Sequence, residues 1–253
     1  QQVRSISKFG MAVVTVVFAD GTDIYFARQL VNERLAGATG DMPRGVAVAL
    51  GPIATGMGEI FQYTVEGPGT LAERRVIQDW LVRPHLRTVP GVTEVNTLGG
   101  EVEQHQVEIA PERLAAYGLT LQDVVTAVAR NNANAPGNYL EHGDEQYLVR
   151  GLGLLNGPAD LPGLVVARKD GRPVYLRDVA AIRPGHAPRQ GATTRNGSET
   201  VAGIVMKLRG ENSREVIRRV QAKLAAIAPT LPPGTRVVPF YDQLELVEQA
   251  VAG

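Results

Sequence analysis

Few residues in this chain have the type and spacing to do chemistry, and two carboxylates lead them. Glu59 opens the apolar run IFQYTV directly after ATGMG, where glycines let other groups approach. Glu94 and Asn96 lie two apart in the segment TEVNTL, which puts both on one face of a strand. Carboxylate and amide donors that converge within a few ångström suit a hard or borderline divalent cation. Spacing alone suits two solvated edge carboxylates better, since no His or third carboxylate adjoins them. His85, His105, His142 and His186 are scattered and never adopt the spacing that sets two imidazoles on one helix face. Met11, Met42, Met57 and Met206 lack the clustering of a soft Cu(I) site and read as core or loop residues.

Enzyme chemistry finds little support. Cys is absent, which removes disulfides, thiolate metal sites and Cys nucleophiles. No G-x-S-x-G elbow, Walker A loop or G-x-G-x-x-G is present; Gly56-Met57-Gly58 and Gly151-Leu152-Gly153 lack the third glycine and read as turns. No acid–base set converges, so the chain is expected not to be an enzyme and to carry no cofactor. Lys+Arg and Asp+Glu balance at 26 each, and the formal net charge of zero argues against a nucleic-acid partner. No apolar run approaches the roughly 20 residues of a membrane helix. The longest, Met11 to Ala19, is broken by Thr15 and reads as a buried strand.

The elements that must position these residues recur as a pattern. With 253 residues, 44% hydrophobic and 21% charged, the chain has room for one large domain or two to three small ones. MAVVTVVFA, a helix with Ile24, Ala27, Leu30, Val31 and Leu35 on one face, and a returning strand Val46–Leu50 form one β-α-β unit. Ile60–Val65, a helix opened by the capping box Thr70/Glu73 and kinked or ended at Pro84, and Thr93–Leu98 form a second. Thr200–Leu208, an Asn212-capped helix with Val216, Ile217, Val220, Leu224 and Ile227 inward, and Arg236–Tyr241 form a third. Such units, paired, make a ferredoxin-like split βαβ sandwich, an α+β fold. Residues from Gly100 to about Gly191 read as an inserted α+β module. It holds a strand Gln104–Ile109, helices near Pro111–Tyr117 and from Thr120 to Asn131, and a loop Asn131–Asn138. The short strands EQYLVRG, LVVAR and PVYLRDV follow, the last two joined at Asp170-Gly171.

The segments FADGTDIYFARQLVNERL, LGPIATGMGEIFQYTVEG, QDWLVRPHLRTVPGVTEVNTLGG, PERLAAYGLTLQDVVTAVARNNANAPGNYLE and YLRDVAAIRPG, in this order, resemble one family. It is the heavy-metal efflux branch of the resistance–nodulation–division (RND) transporters. The resemblance is to the first large periplasmic loop, covers essentially the whole chain, and is strongest to cobalt–zinc–cadmium inner-membrane subunits, with copper–silver pumps next.

The resemblance implies an incomplete porter subdomain PN1 at 1–56, porter subdomain PN2 at 57–99 and 192–245, and a docking subdomain DN at 100–191. Residues 246–253 would be a connector toward a membrane helix, with Asp242 as its cap. The chain would then be the periplasmic portion of a Gram-negative inner-membrane protein, with the proton-relay carboxylates in membrane helices elsewhere. The implied partners are a periplasmic adaptor, an outer-membrane channel and two further copies in a homotrimer, formed partly through a DN hairpin near 136–147. In that family the strands bearing Glu59 and Glu94 border the substrate cleft, and organic-solute relatives tend to place a bulky apolar residue where Glu59 stands. Glu59, Glu94 and Asn96 are therefore expected to coordinate a transported divalent ion (Zn, Co, Cd or Ni). The alternatives are a Cu/Ag or organic-compound pump, or a stand-alone extracytoplasmic binding module.

Overall fold

The computed structural model describes residues 2–8, 10–43, 45–53, 58–143, 145–151 and 153–245. The chain divides into two compact units, Gln1–Ile53 and Ala54–Gly253.

In the first unit, β1 (Gln2–Lys8) and β2 (Met11–Val17) form an antiparallel ribbon, followed by helix α1 (Ile24–Ala38). Asp23 caps α1, its Oδ1 accepting the amides of Tyr25 and Phe26 at 2.8 and 3.2 Å. Two sequence expectations fail here. The Met11–Ala19 run is a strand only to Val17, and it is exposed along its whole length instead of buried. A two-stranded ribbon cannot cover its own faces, and α1 buries only Ala27. Val46–Leu50 is irregular, because the ribbon ladder contains only β1 and β2 and offers this stretch no partner. The strand β1 itself was invisible in the weakly patterned QVRSISK.

The second unit opens with β3 (Glu59–Glu66), α2 (Leu71–Ile77), a single wide π turn (Gln78–Val82), α3 (Arg83–Arg87) and β4 (Val92–Gly99). The capping box closes as expected, with Glu73 N–H on Thr70 Oγ1 at 3.2 Å and Thr70 N–H on Glu73 Oε2 at 2.7 Å. Pro84 neither ends nor breaks the helix. It lacks an amide and its ring crowds the carbonyl four residues back, and the π turn just before it widens the helix instead.

The inserted stretch contains β5 (Glu103–Ile109), α4 (Pro111–Tyr117), α5 (Leu121–Arg130), β6 (Ala135–His142) and β7 (Glu145–Gly151), then β8 (Val165–Lys169), β9 (Arg172–Tyr175), α6 (Leu176–Val179) and β10 (Ala180–His186). The polar stretch from Asn131 is a loop only as far as residue 134. From Ala135 it pairs with β7, and a register shift between Pro136 and Tyr139 absorbs the Pro-Gly-Asn sequence. The β6–β7 hairpin thus spans Ala135–Gly151, wider than the 136–147 expected. PVYLRDV is a strand only through Tyr175; Asp178 Oδ2 then accepts the Tyr175 amide at 2.8 Å and starts a helical turn. The chain closes with β11 (Thr193–Arg195), β12 (Ser198–Lys207), α7 (Ser213–Ile227) and β13 (Arg236–Asp242). Asp242 Oδ1 accepts the Leu244 amide at 2.8 Å, and the connector at 246–253 lies outside the described residues.

Strands β13, β3, β12 and β4 lie side by side in that order, all antiparallel, with β11 extending the sheet along β12. This is the strand order of a split βαβ sandwich, and β4 and β12 share one sheet although about 100 residues separate them. The two cores of this unit are distinct. One joins Phe61, Val65, Val95, Val201 and Val205 of the sheet to Val82, Leu86, Val216, Ile217 and Val220 of the helices. The other joins Leu114, Val124, Val166, Val174, Leu176 and Val179 of the inserted stretch. The chain leaves the sheet at Gly99 and Gly100, both at positive φ (70° and 73°). A Cβ on Gly99 would lie 2.6 Å from the Thr200 carbonyl oxygen, so only glycine fits this exit.

Candidate metal centre

The helices pack on one face of the five-stranded sheet, and the candidate ligands stand on the opposite face, here called the open face because no described helix packs on it. Met206 of β12 pairs with Glu94 of β4 on one side and with Glu59 of β3 on the other. Residues paired directly across antiparallel strands point the same way, so Glu94, Met206 and Glu59 form one row. With strands about 4.8 Å apart, the two glutamate Cα atoms stand roughly 10 Å apart astride the methionine. The carboxylates are thus one strand apart.

A bulge sets this row. Between Val205 and Met206 the register shifts, so Phe61 faces Val205 while Glu59 faces Met206, and Ile60 is the extra residue. Ile60 and Phe61 are therefore both fully buried in succession, and Glu59 comes round to the face of Gln62. Gln62 Nε2 donates to Glu59 Oε2 at 3.3 Å. Asn96 Nδ2 lies 3.4 Å from Glu94 Oε2 and 3.3 Å from Met206 Sδ. A second row, Asn96, Ile204, Gln62 and Tyr241, runs beside the first. Glu59 is exposed; Gln62, Glu94, Asn96 and Met206 are half-buried.

The third glutamate of this face is engaged differently. Arg195 Nη1 donates to Glu66 Oε1 at 2.9 Å and to Thr64 Oγ1 at 2.7 Å. Among the described residues no Arg or Lys forms an ion pair with Glu59 or Glu94. Nor, among them, do three His, Asp or Glu side chains come together as a metal cage. His85 in α3, His105 in β5, His142 in β6 and His186 in β10 belong to other elements. The face thus presents two carboxylates, two amides and one thioether: charge for a divalent cation, without a closed structural site.

Sequence reasoning set Glu59, Glu94 and Asn96 on neighbouring strands and read Met206 as core or loop; Met206 is instead a half-buried residue of β12 that pairs with both glutamate positions. Met42 lies in an irregular stretch, and Met57 lies outside the described residues, as does Gly56. Sequence also missed the polar chain beneath the sheet. The fully buried Tyr63 hydroxyl donates to Gln78 Oε1 at 3.0 Å, Gln78 Nε2 reaches Thr97 Oγ1 at 3.3 Å, and Thr97 donates to Asp79 Oδ1 at 2.7 Å. Burial pushes the Tyr63 phenol well above its ordinary value, so it stays a neutral donor.

An α+β sheet with an open, carboxylate-bearing face and a long inserted module defines a class, and the chain belongs to the AcrB/AcrD/AcrF family, which it matches over residues 1–253. Within that family it falls in the heavy-metal efflux branch of RND transporters. It is 47% identical to the cobalt-zinc-cadmium resistance protein CzcA of Cupriavidus metallidurans, over 100% of this chain and 25% of that protein. It is 42% identical to the cation efflux system protein CusA of Escherichia coli K12, over 98% of this chain and 24% of that protein. The crystal structure of a heavy metal efflux pump superposes with a TM-score of 0.86 at 33% identity, covering 99% of this chain and 25% of that one. The chain therefore spans about a quarter of the length of these relatives. Among the described residues no helix is long and apolar enough to cross a membrane.

Proposed function

We propose that this chain is the periplasmic porter and docking region of a proton-driven exporter of divalent heavy-metal cations of the Zn, Co, Cd and Ni class. Its open sheet face is one wall of the substrate cleft. One observation carries this reading: Glu59 and Glu94 stand unpaired by any described cation on an uncovered face, in a family whose named relatives confer cation resistance. Two carboxylates cancel a double positive charge, and an open, partly solvated set of donors lets the ion leave again. Export demands such release, and a closed tetrahedral site would prevent it.

In this reading residues 1–56 are part of PN1, 57–99 with 192–245 are PN2, 100–191 are DN, and 246–253 lead to an inner-membrane helix. The separate core of 107–182 supports treating DN as its own body. The partners are an adaptor, an outer-membrane channel and two more copies of the chain, and the region binds its ion as cargo and catalyses no reaction. Replacing Glu59 and Glu94 by Gln in the full-length protein tests the reading. Zinc and cobalt tolerance of the cells should be lost at normal protein levels; unchanged tolerance overturns it.

A further inference from the structure

We propose that the Met206 thioether is a third donor between Glu59 and Glu94, and that it tilts the site toward soft divalent cations, Cd2+ ahead of Zn2+, Co2+ or Ni2+. The inference rests on the cleft reading above and names the class of ion that this wall prefers.

Three features point to Met206. It is the residue of β12 that pairs with both carboxylate-bearing positions, so whatever lies between the glutamates lies over its side chain. Its neighbour Val205 is buried against the helices, whereas Met206 is half-buried on the open face. Its sulfur lies 3.3 Å from Asn96 Nδ2, the same atom that lies 3.4 Å from Glu94 Oε2, so sulfur and carboxylate already share one polar neighbourhood.

The chemistry of these donors selects by two independent criteria. Two carboxylates balance a double charge and leave a surplus negative charge beside Cu+ or Ag+. A thioether is neutral and polarizable, a ligand that favours soft ions over hard ones. Divalent and soft together describe Cd2+. The donor is also weak and carries no proton, so it adds preference without holding the ion fast or responding to pH. The bulge at Ile60 is what brings Glu59 into this row; in unbroken register Ile60 would face Met206 and the row would hold one carboxylate.

The test uses cells expressing the full-length protein, with CdCl2 and ZnCl2 as the probes. Met206→Leu keeps the apolar bulk and removes the sulfur; Met206→Gln keeps the length and supplies a hard oxygen. The ratio of cadmium to zinc tolerance should fall on the order of tenfold in Met206→Leu, and at least as far in Met206→Gln. An unchanged ratio in both variants overturns the proposal. Loss of both tolerances together also overturns it, since Met206 would then be a packing residue. The Glu59→Gln/Glu94→Gln protein separates this inference from the one beneath it. If that protein keeps full tolerance to both ions, the cleft reading falls. If it loses both while the Met206 ratio stays fixed, the cation site stands and this inference alone falls.

Discussion

The two faces of the five-stranded sheet are made by the same strands and obey different rules. Against the helices, Val95, Val205 and Phe61 form one apolar row and Val201 and Val65 another, with Thr97, Gly203 and Tyr63 between them carrying the buried hydrogen bonds to Gln78 and Asp79. On the open face the corresponding rows are Glu94, Met206 and Glu59, then Asn96, Ile204 and Gln62. Packing, with the buried hydrogen bonds of Tyr63 and Thr97, accounts for the first face, because burying apolar area and pairing buried polar groups both stabilise the sandwich. Packing explains little of the second, where neutral or apolar residues would serve the strands as well. The contrast motivates the cleft proposal, since exposed Glu59 and half-buried Glu94 form no ion pair with Arg or Lys among the described residues.

Damage to the covered face should therefore appear as lost stability. The largest effect is expected from Val220→Asp in α7, which forces a charge against fully buried Val and Ile side chains. Burying an unpaired charge costs several kcal/mol, enough to unfold the sandwich in a thermal or urea melt. Next comes Gly203→Ala. A Cβ there would overlap the buried Tyr63 ring, and overpacking of that kind costs about 1–3 kcal/mol or more. Tyr63→Phe should cost roughly 1–3 kcal/mol, because Gln78 Oε1 would remain buried without its donor. If Gly203→Ala melts like the parent chain, the covered face is looser than described.

The smallest effect concerns a cap. Hydrogen bonds from the Thr70 amide and hydroxyl hold the Glu73 carboxyl below its ordinary value. A lowered carboxylate contributes stability that is complete above its unfolded value and disappears as pH falls through the folded one. Glu73→Gln should therefore lower the melt slightly near neutral pH and remove the acid-side slope, so that variant and parent converge at low pH, which melts at stepped pH would show.

What the sequence revealed, and what it hid, follows the range of the interactions. Helix α7 was legible because its five apolar positions repeat at helical spacing, and the Thr70 cap because a cap is local. The strand pairing of β4 with β12 was inferable from the repeated unit. Burial of β2 was misjudged because an apolar run shows only that a strand could be covered, while cover depends on other elements. The π turn before Pro84 and the bulge at Ile60 are choices between near-equal local geometries that tertiary packing settles. Glu59, Glu94 and Asn96 were found as donor types, but their alignment astride Met206 arises from a register set across more than 100 residues.

The comparison of faces is tested most directly by pairing two readouts on Glu59→Gln/Glu94→Gln. One is the thermal midpoint of the chain; the other is zinc transport by the full-length protein in vesicles under a proton gradient. The account predicts a midpoint within about 2 °C of the parent, since surface changes away from packed features rarely exceed 0.5 kcal/mol, and transport reduced at least tenfold. Transport at the parental rate, or a collapse of the midpoint that accounts for its loss, would contradict it.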